Sequence, residues 1–353
     1  MEQDKSQAIQ AQVEEARSGK IKLNIRAGNS KSFFGRESTG GLLDVSGHAG
    51  IINYEPTELV VTARAGTTLK EIETVLDSEN QMLGFEPPAF GKDASIGGTI
   101  ACGFSGPRRA FAGSARDFIL GSTIINGKAE YIHFGGEVMK NVAGYDVSRL
   151  MCGAMGTLGV LMDLSLKVLP KPESELTLVF EMETEDALLK VHQLARQSLP
   201  ISATCFDDEM LHIRLSGTEG AIRAACGQLG GDKVPAGESF WQRLKEHELD
   251  FFQQKKNIWR ISLASNSPLL NLAGQQLYEW NGALRWLASD EEEYTIRQEV
   301  TRHGGHAICF RQHRKSEQVF HPLESGLLKV HRELKRAFDP EAILNPGRMY
   351  AEI

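Results

Sequence analysis

The chain has 353 residues, 41% hydrophobic and 24% charged, with a net charge of −7. That balance excludes a disordered chain and leaves room for two cores. The acidic total, with no basic tail and no basic–aromatic stripe, excludes nucleic acid as a partner. No apolar run approaches the roughly 20 residues that span a bilayer.

The polar, acidic start MEQDKSQAIQAQVEEARSG predicts neither a signal nor a transit peptide. Cys102, Cys152, Cys205, Cys226 and Cys309 are scattered, with no C-x-x-C pair. They predict reduced thiols, a cytoplasmic location and no four-cysteine iron–sulfur ligand set. Residues 5–18 read as a helix ended by Gly19, followed by the strand KIKLNIR and three short β-rich runs, LLDV, GIINY and LVVTARAG. Thr68 and Glu71 form a capping-box pattern ahead of a helix whose apolar face is Leu69, Ile72, Val75 and Leu76. Residues 84–121 are glycine-rich and aperiodic, and a loop of that length inside a domain is usually functional. A hairpin, STIINGKAEYIHFGG, turns at Asn126-Gly127.

Pro170-Lys171-Pro172 reads as a linker. The expected domains are therefore 1–172, 173–322 and a tail, 323–353. ELTLVFEM, EDALLKVHQLARQSL, ISATCFDDEMLHIRL and EGAIRAACGQLGG make a β-α-β-β-α unit. A second, less regular unit runs from IWRISLAS through GALRWLAS and EEYTIRQEVTRHGG to HAICFRQ. Two such units predict an antiparallel sheet with helices on one face, an α+β domain. The tail begins with a helix carrying Leu327, His331, Leu334 and Phe338 on one face.

The loop after the first strand, RAGNSKS, ends in Lys31-Ser32 as a Walker A loop would. The glycines of G-x-x-x-x-G-K-[ST] are missing, because Ser30 and Ile25 hold their positions. A Rossmann G-x-G-x-x-G is absent too. What remains is Arg26, Gly28 and a run of small polar residues whose amides suit an anion nest. A second small-residue loop, ASIGGTIA, has Gly97 and Gly98 for close backbone approach. Two such loops can clamp one extended diphosphate; each alone reads sooner as an ordinary tight turn.

Taken together, IRAGNSKSFFG, DASIGGTIACGFSGPRR with GSARDFILG, KNVAGYDVSRLMCGAMGTLGVL and FDPEAILNPGR resemble the landmarks of the FAD-binding oxidoreductases related to vanillyl-alcohol oxidase and p-cresol methylhydroxylase. The resemblance covers about residues 20–172 and the last fifteen or so. It implies a PCMH-type two-part FAD-binding domain over 1–172, an α+β cap domain over 173–322, and a C-terminal helix and tail returning to the FAD domain. It implies FAD contacts from Arg26, Ala27, Gly28, Asn29, Ser30, Lys31 and Ser32, from Ser95, Gly97, Gly98, Thr99 and Ala101, and from Gly159 and Val160 within Gly156–Val160. Relatives with covalent flavin carry a histidine where this chain has Ser30, which implies a non-covalent cofactor. Backbone amides then hold the phosphates, and Lys31 is expected to point to water. Asn141, Gly144, Tyr145 and Asp146 fall in a family-typical motif, with Asp146 read as a local cap. Arg116-Asp117 reads as an internal ion pair, and Asn345-Pro346-Gly347 as the tail's docking turn.

Oxidising a 2-hydroxy acid needs a cation for the carboxylate, a base or metal for the hydroxyl proton, and a hydride acceptor. Related large D-2-hydroxy-acid dehydrogenases carry an H-x-G-D-G-N-x-H cluster for a metal, and this sequence has none. His303 and His306 are too few to make a site. Arg260, Arg285 and Arg311 could meet a carboxylate but read as surface pairs at sheet edges. No catalytic residue follows. The resemblance implies a flavin subunit of a glycolate-oxidising complex, beside a larger FAD-linked 2-hydroxy-acid oxidase subunit and an iron–sulfur subunit. Electrons then pass to a quinone-linked acceptor, and membrane association comes only through partners. A stand-alone D-lactate-type dehydrogenase and a structural flavoprotein are the alternatives.

Overall fold

The computed structural model describes residues 4–136, 146–207, 209–313 and 318–353. The chain divides into two units: residues 1–105, 114–170 and 322–353 form the first, and residues 106–113 and 171–321 the second. The tail therefore belongs with the N-terminal half. Gly106–Gly113, read from sequence as part of the first domain, groups with the second unit.

In the first unit a five-stranded antiparallel sheet runs in the order Ile51–Glu55, Val60–Arg64, Val160–Lys167, Ile119–Ile125, Tyr131–Gly135. A separate parallel pair joins Leu23–Arg26 to Gly41–Asp44. The N-terminal helix, Ser6–Gly19, buries Ile9, Val13 and Ala16 at 3.6-residue spacing and ends at Lys20 in the left-handed region. Those side chains share one core with Leu23, Leu43, Val160, Met162, Ile343 and Leu344. The tail enters that core beside the first strand, with the Leu23 amide donating to Ile343 and the Asn345 amide to Leu23. Helix Leu69–Ser78 is capped as expected, the Thr68 hydroxyl accepting from the Glu71 amide.

The stretch 84–121 is not irregular throughout. It folds a helix over Ile96–Cys102, N-capped by Ser95. Short range hid this helix, since its seven residues include two glycines and no polar face. The tail helix, Ser325–Phe338, also departs from expectation: its buried residue is Lys335, whereas Leu327 is 50% exposed.

The second unit is one eight-stranded sheet. Its order is Asp232–Val234, Ser174–Glu181, Met210–Gly217, Ile201–Asp207, Gln275–Glu279, Leu284–Ser289, Asn257–Ser262, His306–Arg311. The β-α-β-β-α unit forms as read, with helices Thr184–Leu194 and Glu219–Leu229. Register puts Phe206, Tyr278, Arg285, Ile261 and Ala307 in one row across the sheet. That face packs against these helices and Glu293–Arg302, through Val191, Ile222, Ile296 and Val300. The opposite face carries Glu279, Trp286, Arg260 and His306.

Candidate functional site

A cavity of about 460 Å³ opens in the first unit, within the range of small-molecule sites. Its wall is the loop leaving strand Leu23–Arg26, the N-terminal turn of helix Ile96–Cys102, the Gly156–Gly159 turn, and the tail at Asn345 and Arg348. Arg26, Ala27, Gly28, Asn29, Ser30, Lys31, Ser32, Ser95, Gly97, Gly98, Ala101 and Gly159 all line it.

Gly28 explains why the two loops meet. A Cβ there would fall 1.4 Å from the Asp93 carbonyl oxygen, so only glycine allows this backbone-on-backbone approach. Asn29 follows with φ +55, a region asparagine tolerates. The amides of Gly28, Asn29 and Ser30 donate to no acceptor among the described residues. Arg348 holds the far side of the same loop, its guanidinium donating to the carbonyls of Ser32 (3.1 Å), Phe34 (2.5 Å) and Arg36 (2.6 Å). With its carbonyls occupied from one side, the loop keeps amides available for an anion, which is the chemistry of a phosphate nest.

The second loop contributes differently. The Ile96 and Gly97 amides donate to Thr67 and Ala65 carbonyls, and the Gly98 amide to the Ser95 hydroxyl. This turn supplies close, side-chain-free wall rather than free donors. Gly97 sits against Ala65, where a Cβ would lie 2.6 Å from the Ala65 methyl carbon. Gly98 meets only the Ser95 hydroxyl, at 3.2 Å. Asn345 fixes the third turn: its side chain accepts from the Ile25 amide at 2.7 Å and donates to the Met155 carbonyl at 2.7 Å. Asn345 thus ties the tail to both the first strand and the Gly156 turn.

Several expectations need correcting. Lys31 does not point to water: it is 6% exposed, its ammonium donating to the Ala89 carbonyl (3.1 Å) and the Ser30 hydroxyl (3.3 Å). Thr99 and Val160 lie off the cavity wall. Thr99 is wholly buried with its hydroxyl on the Ser95 carbonyl, and Val160 packs in the hydrophobic core. Asp117 closes a capping box with Ser114 instead of pairing directly with Arg116. Arg285 is not a surface pair; it is fully buried, held by the carbonyls of Gly282, Pro268 and Ser267. Asp146 is the N-cap of Val147–Met151, as read, while Asn141, Gly144 and Tyr145 lie outside the described residues. His303 lies 3.6 Å from Glu299, and the described residues contain no cluster of three metal-ligating side chains. Sequence reasoning missed Arg348, whose signal was the arginine closing N-P-G-R. It also missed Cys102, a cavity-wall thiol that burial pushes up to about 11.

Residues 2–135 match a family described as FAD binding domain. The fold is that of p-cresol methylhydroxylase, with a TM-score of 0.69 at 16% identity, covering 97% of this chain and 87% of that one. The fold is therefore PCMH-type, and the family match and the full-length relative below make the chain an FAD-dependent oxidoreductase. Glycolate oxidase subunit GlcE of Escherichia coli K12 is 50% identical over 350 residues, 99% of each chain. Glycolate oxidase subunit GlcD of Bacillus subtilis is 35% identical over 151 residues, 42% of this chain and 32% of that protein. The chain belongs to the GlcE family.

Proposed function

We propose that this chain is the FAD-carrying subunit of a complex that oxidises glycolate to glyoxylate. Full-length identity to GlcE and the partial match to GlcD support the substrate and the setting. The observation that carries the cofactor assignment is the Gly28 approach to Asp93, beside three amides that donate to no acceptor among the described residues. Gly28, Asn29 and Ser30 hold the diphosphate, Arg348 keeps their loop in that shape, and Gly98 leaves wall space for the rest of the dinucleotide. FAD, when bound, supplies the hydride acceptor. Ser30 offers a hydroxyl where covalent relatives have an imidazole, and no histidine is among the described residues of the cavity wall; both support a flavin held without a covalent bond.

The chain works beside a larger FAD-linked oxidase subunit and an iron–sulfur subunit, through which electrons leave to a quinone-linked acceptor. No helix among the described residues is long and apolar enough to cross a membrane, which is compatible with a cytoplasmic chain held at a membrane through partners. The test is to purify the chain, record its visible flavin absorption, and precipitate it with acid. The yellow colour is expected to pass into the supernatant. A chain that stays colourless with excess FAD overturns the proposal; colour remaining in the pellet overturns the non-covalent assignment. Anaerobic glycolate should bleach this flavin when the partner subunits are present.

A further inference from the structure

Arg348 brings a permanent positive charge to a place where a neutral group would serve as a brace. Its side chain is half-buried and lines the cavity with Arg26, Cys102 and Asn345. The guanidinium nitrogens donate to three backbone carbonyls, those of Ser32, Phe34 and Arg36. Arg36 returns the contact, its amide donating to the Arg348 carbonyl at 3.0 Å and its Nε to the Gly347 carbonyl at 3.1 Å. The cation is thus fixed in position by backbone on both sides.

Carbonyls satisfy N–H donors but do not cancel the charge of a guanidinium, which stays protonated at any ordinary pH. Among the described residues Arg348 makes no ion pair, and Glu37 acts on it from beyond ion-pair distance. Burial lowers its pKa, and Arg26, on the same wall, pushes the same way. Holding a cation in a recess by neutral groups alone costs free energy that a neutral side chain would avoid. Asn345, three residues earlier, shows that the tail can brace a turn without charge: one amide group joins Ile25 to Met155. The nest amides of Gly28, Asn29 and Ser30 are themselves only dipoles, so they hold phosphate oxygens without balancing their charge.

We propose that Arg348 is the charge-bearing anchor of the cradle: its guanidinium, held still by backbone carbonyls, attracts the cofactor's diphosphate through space while the nest amides hold the oxygens. The choice of ligand rests on the FAD assignment above; the anchor rests on the geometry of this side chain. Charges several ångströms apart still interact in a recess of low effective dielectric. Arg348 is accordingly a positioning residue with two tasks, bracing the loop and supplying charge.

The experiment is titration of the apoprotein with FAD, followed by flavin fluorescence, at low and at raised sodium chloride. The parent's Kd is expected to rise with salt, because screening weakens attraction between charges. Arg348→Gln should weaken FAD by about tenfold or more and flatten that response. Arg348→Lys should keep the parent's response to salt even where the lost fork weakens its affinity. Arg332→Gln, which removes an exposed cation from the tail helix, should behave like the parent. Thermal unfolding checks that each variant is folded; should Arg348→Gln fail, the parent and Arg348→Lys still decide. A parent indifferent to salt, an Arg348→Lys variant that loses the response, or an Arg348→Gln variant that keeps it would each overturn the anchor and leave a brace of shape alone. Salt-indifferent uptake of FAD sinks only this inference, whereas a chain that takes up no FAD sinks the cofactor assignment with it.

Discussion

Gly97 and Gly98 are neighbours with different tasks. A methyl at Gly97 has the Ala65 side chain and carbonyl in its way, at 2.6 and 2.8 Å, both part of a packed core. We expect Gly97→Ala to lose about 1–3 kcal/mol of stability through overpacking, measured by urea unfolding of the apoprotein. A methyl at Gly98 meets only the Ser95 hydroxyl and otherwise enters cavity space. Gly98→Ala should keep stability within about 1 kcal/mol, since alanine favours the helix, yet weaken FAD by about tenfold or more. A fluorescence titration with FAD checks the second half, and equal effects of both variants would refute the division. Lys31 belongs to this scale as well. Its place in the loop was legible, but its burial against the Ala89 carbonyl depends on a segment 58 residues away.

Among the elements, the tail helix shows how a polar residue can anchor where apolar ones do not. Lys335 reaches inward to Asp339 at 2.7 Å and to the carbonyls of Thr157 and Leu344, each at 2.8 Å. Asp339 also accepts from the Ile343 and Leu344 amides. Burial lowers the lysine's pKa while Asp339 opposes that shift. Removing the ammonium strands a fully buried carboxylate and two carbonyls. We expect Lys335→Met to lose about 3–5 kcal/mol, as for other broken buried pairs. It should also loosen FAD, because Asn345 and Arg348 follow on the same segment. Chemical denaturation and flavin retention on a desalting column report the two effects. Periodicity alone favoured Leu327, His331, Leu334 and Phe338 as the packing face; it could not see that Lys335 has carbonyls waiting for it.

For the whole molecule, the two units predict two responses. FAD bound in the first unit stabilises that unit by mass action, by about 2.7 kcal/mol at a hundredfold excess over Kd. Differential scanning calorimetry should show one transition moving with FAD while the other stays fixed; equal movement of both would contradict the placement of the cradle. Acid acts on the second unit. His212 stacks on Phe240 at 3.8 Å, and burial lowers it to about 4. Its folded pKa lies below the unfolded value near 6.5, so the unfolded chain takes up the proton first. The stabilisation is complete above about pH 6.5 and is lost as pH falls toward 4, by up to about 3 kcal/mol. His247, wholly buried among Phe252, Trp286 and Phe310, is depressed in the same direction. His212→Phe should therefore flatten part of the acid slope of the second unit, read as urea midpoints between pH 7 and 5.

The sequence by itself determined the β-α-β-β-α unit and the two small-residue loops that line the cavity. These features are local: a glycine's freedom, a cap or a two- or 3.6-residue period is complete within a few positions. Tertiary structure alone decided that Gly28 lies on Asp93, that Arg348 braces the nest, and that Arg285 is bound by carbonyls while Arg260 is not. An arginine reads the same in a string whether its charge is neutralised or left available, because that depends on strand register and on which groups other segments bring beside it.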